Sequence, residues 1–211
     1  MSNIFNFNFI HKTPSSDIVI NLKAVTCSVT DLCGFEDKPL FNKLCKVGCP
    51  NFEKKWSCPP YSPRFTSYSK NYKYALVILM YCNLDQFNYT KTEYMKIKAS
   101  NSILKTRMDK LMRFLENELD GLMVSNGSCR LCKPCNCKKS LPCKKPNLKR
   151  YSMEALGLDV GNISLDIFNH KLLWYKDKIA PKYSTVISCL LLNNIESNKD
   201  IYTYLKGGNT I

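Results

Sequence analysis

Histidine is almost missing from this chain: His11 and His170 are the only two among 211 residues. Neither lies near a cysteine in sequence, so both are expected to be surface or structural residues, and imidazole acid–base machinery is thin. Long apolar runs are missing too. The longest, Tyr74 to Cys82, falls far short of the roughly 20 residues that a membrane helix needs. Met1 to Lys12 alternates Phe and Asn, with neither the basic n-region nor the continuous apolar h-region of a secretory signal. No internal repeat is visible. A cytoplasmic protein without a membrane partner is expected. Acidic residues are outnumbered, 17 against 31 Lys and Arg, for a formal charge of +14. That excess points to nucleic acid or another anionic partner, although a Lys-, Asn- and Ile-rich composition also follows from an AT-rich coding sequence.

Cysteine, by contrast, is abundant, with twelve in the chain. In a reducing compartment thiols serve as ligands or nucleophiles more often than as disulfides. Five of the twelve fall within fifteen residues, as Cys129, Cys132, Cys135, Cys137 and Cys143. The C-x2-C-x2-C core lets three thiolates curl around one centre and matches the opening of the bacterial ferredoxin run that holds a cubane cluster. Zinc more often takes two C-x2-C pairs spaced about twelve to twenty residues apart, and it remains the alternative metal. Around this stretch stand Arg130, Lys133, Lys138, Lys139, Lys144, Lys145, Lys149 and Arg150. They either bind an anionic partner or offset a negative cluster.

A second cysteine segment runs from Cys45 through Cys49 and Cys58 to Pro63. Its glycine and four prolines argue for a loop, since proline fixes φ and lacks a backbone donor. Cys58-Pro59 echoes the Cys-Pro that closes the ferredoxin run. Eight residues separate Cys49 from Cys58, which does not fit the C-x3-C-x2-C loop of radical S-adenosylmethionine chemistry. Cys27 and Cys33, in a turn-like region, fit no ligand pattern and read as buried or spare thiols. Cys82 and Cys189 read as core.

The pattern predicts a single α/β domain over residues 1–211, with a small, mostly parallel or mixed sheet and a cysteine-rich metal-binding lobe at about 45–63 and 129–150. Asp17 to Cys27 reads as an edge strand. Tyr74 to Cys82 reads as a strand buried on both faces, Thr90 to Leu119 as a long amphipathic helix, and Leu122 to Ser125 as a second strand. A parallel pair with a right-handed crossover follows from that order. The cysteine stretch would then leave the carboxyl end of a strand at the sheet's rim. Ser152 caps a short helix stopped by Gly157, and Asn162 to Asn169 forms another. Leu172 to Tyr175 and Ser184 to Leu192 are expected strands, and Ile201 to Leu205 a last one.

Cys45-x3-Cys49 with Trp56-Ser57-Cys58-Pro59-Pro60-Tyr61, then Cys129-x2-Cys132-x2-Cys135, Pro142-Cys143-x2-Pro146 and Ser152-Met153-Glu154-Ala155-Leu156-Gly157-Leu158-Asp159-Val160, give the chain a likeness. It resembles the cysteine-rich "predicted metal-binding protein" family of bacteria and archaea, many of them anaerobes, from about Cys45 to Leu192. Phe52-Glu53, Lys144 and the additional Cys137 depart from the family's pattern. The resemblance implies a metal and names no reaction.

The expected function is that of an iron–sulfur protein with one or two [4Fe–4S] clusters. Cys129, Cys132, Cys135 and Cys143 would hold one, and Cys45, Cys49 and Cys58 the other. The second set is one ligand short. Borrowing Cys27, Cys33 or Cys137 points to electron transfer with a redox partner. An open iron points to catalysis on a small-molecule substrate, by sulfur transfer, reduction or hydration. Glu154 and Asp159 are the candidates for proton transfer. The alternatives are a zinc-stabilised basic module that binds nucleic acid, with Phe52, Trp56 and Tyr61 to stack bases, or a metal-stapled structural protein.

Overall fold

The computed structural model of the chain describes residues 4–194 and 198–207. It begins with a hairpin of β1 (Phe5–Lys12) and β2 (Asp17–Ser28). In β1 the Phe/Asn alternation becomes a strand period: Phe5, Phe7 and Phe9 pack against the core while the residues between them face outward. Helices α1 (Val29–Cys33), α2 (Lys38–Gly48) and α3 (Phe65–Tyr68) lead to β3 (Tyr74–Asn83). The long helix α4 (Glu93–Glu118) and the short strand β4 (Leu122–Val124) follow. After the cysteine-rich stretch come α5 (Met153–Leu156), α6 (Val160–Phe168), β5 (Tyr183–Leu192) and α7 (Asn198–Gly207).

The five strands form one sheet in the order β1-β2-β3-β5-β4, with each neighbouring pair antiparallel. This corrects the expected mostly parallel or mixed sheet. β3, α4 and β4 do make a crossover in which the two strands run the same way, but β5 lies between them. Cys189 on β5 is opposite Val77 on β3 and also opposite Val124 on β4. The cause lies in composition: β5 is buried over Val186–Leu192, and a strand apolar on both faces belongs inside a sheet rather than at its edge. β2 is not an edge strand either: β1 pairs along its outer side, while Ile18, Ile20, Leu22 and Ala24 turn one face of it to the core.

Helices cover both faces. On one, Leu104, Met108, Leu111, Met112 and Leu115 of α4 meet the sheet side chains of β2 and β3, with Ile201 and Leu205 of α7 in the same core. On the other, α1, α3, α5 and α6 contribute Leu32, Phe65, Met153, Leu156 and Ile163. Two further strand expectations fail. Ile201 and Leu205 lie four residues apart, a spacing that stacks both on one helix face, and the segment is helical. Leu172 to Tyr175 carries no regular structure, and Trp174 is 76% exposed.

Candidate metal centre

The cysteine segment that comes first along the chain, Cys45 to Pro63, starts on a helix rather than a loop. Asp37 caps α2 by accepting the Leu40 amide at 3.0 Å, and a proline occupies its first turn. No proline interrupts the next ten residues, so helix persists to Gly48. Cys45 therefore sits in the last turn, and the Cys49 amide donates to the Cys45 carbonyl at 3.0 Å. One turn of separation places the two thiols as neighbours. Tight turns then carry the chain round, Cys58 N–H to the Lys55 carbonyl and Tyr61 N–H to the Cys58 carbonyl, each at 3.0 Å.

The three thiols feel one another. Burial, with Cys49 and Glu154 adding to it, raises Cys45 above the ordinary thiol range, while the Lys38 ammonium opposes the rise. Cys58 is pushed up to about 11, chiefly by burial; the Ser57 hydroxyl beside it pulls the other way, and Cys49 and Cys45 push further. Lys38 is itself buried, bonded to the Ser62 hydroxyl at 2.8 Å and to the Ala155 carbonyl. Its position depends on Gly157. That residue holds φ at +100°, and a Cβ there would lie 2.8 Å from the Lys38 Cα. Glycine thus lets the start of α2 rest on the end of α5, and Glu154 of α5 lies beside Cys45 as a result.

The second segment leaves β4 at the sheet's edge. Ser125 still bonds the main chain at Tyr151, its amide donating to that carbonyl at 2.7 Å, and the cysteine stretch begins beyond it. Cys129, Cys132, Cys135 and Cys143 all line one small cleft, with Trp56 and Ser57 of the first segment on the same wall. Cys137 does not line it. That residue is 5% exposed, and its thiol donates to the Glu53 carbonyl at 3.4 Å.

Hydrogen bonds sew the two segments together. Lys55 Nζ reaches the Ser128 hydroxyl and the Cys129 carbonyl, each at 2.9 Å. Trp56 Nε1 donates to the Leu141 carbonyl at 2.9 Å, and the Cys129 amide donates to Ser57 Oγ at 3.0 Å. Lys55 and Ser57 were not singled out in the sequence. The signal available was their place beside Cys58-Pro59, Lys55 just before the Trp-Ser-Cys-Pro-Pro run and Ser57 within it.

The residue types suit a thiophilic metal or cluster: four cysteines line one cleft and three more lie in an adjoining segment. Among the described residues, however, no three His, Cys, Asp or Glu side chains are already closed on a common point. The candidate cysteines share a neighbourhood, on irregular loops and the end of α2 rather than on the sheet. All twelve cysteines are free thiols. Cys27 bonds the Ala75 carbonyl at 3.7 Å from β2, and Cys82 and Cys189 are fully buried in the sheet. Cys33, on α1, feels Glu36 and Ser69 rather than another thiol.

Asp159 is a helix cap, its Oδ1 accepting the amides of Gly161 and Asn162 at 2.9 and 3.0 Å. His170 stands between the rings of Tyr81 and Tyr183, its Nε2 2.9 Å from Thr185 Oγ1. His11 lies on β1, near Arg107 and Lys110. No helix among the described residues is long and apolar enough to cross a membrane.

Neither the curated proteins nor the solved structures contain a match to this chain. A family model does match, over residues 29–192, which takes in all seven cysteines of the two candidate sets and all of the sheet except β1 and β2. The chain belongs to the family described as "Predicted metal-binding protein (DUF2284)".

Proposed function

We propose that this is an iron–sulfur protein of a reducing, cytoplasmic compartment, in which Cys129, Cys132, Cys135 and Cys143 hold a [4Fe–4S] cluster. One observation carries the reading: those four cysteines, and no other cysteine of the chain, are among the residues that line the same cleft. Three come from a C-x2-C-x2-C run, a spacing shared with cubane-binding loops. Cys45, Cys49 and Cys58 form a second, three-sulfur set, and a three-ligand site leaves one position for a substrate. When bound, such clusters supply one-electron chemistry and, at an open iron, a Lewis acid. The chain's own residues do the rest. Lys55, Trp56 and Ser57 hold the two loops in register, the Lys38 ammonium favours the thiolate of Cys45, and Glu154 is the carboxylate available there for proton transfer.

The test is a count of iron and acid-labile sulfide in anaerobically purified protein. About four irons and four sulfides per chain, or twice that, with a broad absorbance in the visible, are expected. Colourless protein with stoichiometric zinc would replace this reading by that of a zinc-stapled, basic module. Salt-sensitive oligonucleotide binding would then identify the partner as nucleic acid.

A further inference from the structure

A second cavity, of about 290 Å³, opens next to the four-cysteine cleft and shares Cys129 and Leu131 with it. One wall is a stripe of α4. Lys105, Asp109 and Arg113 follow one another at intervals of four residues, so they project from one helix face. The opposite wall is the turn Ser125–Arg130, and Arg150 closes the end. Two of the guanidinium groups are fixed from behind. Glu116, 8% exposed, takes Arg150 Nε at 2.5 Å and Arg113 Nη1 at 3.2 Å. Arg130 is tied by Nη2 to the Lys105 carbonyl at 3.3 Å. The Lys105 ammonium has no ion-pair or hydrogen-bond partner among the described residues.

Four cations line the cavity, against Asp109 on its wall and Glu116 behind it, which leaves two positive charges in excess. Guanidinium groups already braced by a buried carboxylate lose little freedom when a further oxyanion arrives. The volume lies at the lower end of small-molecule sites. A cavity of that size takes a compact metabolite.

We infer that this cavity binds a small dianion, carrying phosphate or carboxylate groups, and presents it to the metal centre at Cys129. The inference builds on the metal reading for its chemistry, because the shared wall is a candidate cluster ligand. It does not depend on that reading for binding, because every cation named belongs to the cavity itself.

Calorimetric titration of the full chain as purified, with inorganic phosphate in one arm and malonate in the other, tests it. Metal content is counted in the same samples. One saturable site is expected for at least one of the two, and the tighter arm identifies the headgroup chemistry. Lys105→Gln should weaken that site about tenfold, the scale of one charge-assisted hydrogen bond. Asp109→Asn should tighten it, whereas Lys70→Gln, an exposed lysine outside the cavity, should leave it unchanged. Lys105→Gln should also keep the metal content of the parent protein.

Absence of a saturable site for both anions, or indifference to both Lys105→Gln and Asp109→Asn, overturns the inference whatever the metal count. A metal-free protein that still binds phosphate or malonate through Lys105 would sink the iron–sulfur reading, and with it the presentation to a metal, while the anion site stands.

Discussion

The backbone amide of Cys129 donates to the side-chain hydroxyl of Ser57 at 3.0 Å, and the residue after Ser57 is Cys58. The two cysteine segments, about seventy residues apart in sequence, thus share a buried hydroxyl among the contacts that join them. Ser57 is 1% exposed. Ser57→Ala would leave that amide unpaired, at a cost of about 1–3 kcal/mol for a buried donor. Urea unfolding of the two proteins measures the loss, and an unchanged midpoint would show that water replaces the hydroxyl.

Cys137 and Cys143 separate the ligand role from the structural one. Cys143 lines the four-sulfur cleft, whereas Cys137 points its thiol at the Glu53 carbonyl. Cys143→Ser should lower the iron content, and Cys137→Ser should keep it in full. Iron analysis of both variants decides, and the reverse pattern would exchange their assignments.

Gly157 is the close contact between the end of α5 and the start of α2. Gly157→Ala puts a Cβ at 2.8 Å from the Lys38 Cα, and φ of +100° is strained for any L side chain. A destabilisation of about 2 kcal/mol or more is expected. Since Lys38 and Cys45 share α2, the variant should also bind less metal at the three-sulfur set. Denaturation and metal analysis read the two effects separately.

His170 gives the fold an acid-sensitive group. Burial, helped by Lys23, lowers its pKa from 6.5 to about 4. A folded-state pKa below the unfolded one means that the unfolded chain takes up the proton first. The contribution of neutral His170 is therefore complete above about pH 6.5 and is lost as pH falls towards about 4. Across that window the urea midpoint of the parent protein should fall more steeply than that of His170→Gln. Parallel curves would show that the imidazole takes up its proton as readily in the folded chain as in the unfolded one.

Much of the fold was legible because burial writes itself into apolar spacing. The helical period from Ile97 to Leu119 and the run from Tyr74 to Cys82 became α4 and β3. Strand order was not legible. Nothing local to Leu122–Val124 tells that Tyr183–Leu192 will come between it and β3, since pairing is decided by which strand most needs cover on both faces. The Phe/Asn alternation of β1 carried a strand signal that pointed to no partner by itself. At the candidate centre, spacing led to the cysteines, and the residues that dock the loops were hidden because Lys55 and Ser57 look like ordinary loop polarity. The cavity beside Cys129 was half visible. Arg130 and Arg150 stood in the basic stretch, but Lys105 and Arg113 lie on a helix whose charged face reads as solvated until the turn Ser125–Arg130 folds over it.

The seam between the cysteine loops is made by an ammonium, an indole, a hydroxyl and the thiol of Cys137, together with main-chain groups. No sulfur of the seven candidate ligands is spent on it. Labour is divided in this lobe: one group of side chains acts as mortar and another stays in reserve. Swapping a single reserved sulfur for oxygen consequently questions the inorganic guest and leaves the masonry standing.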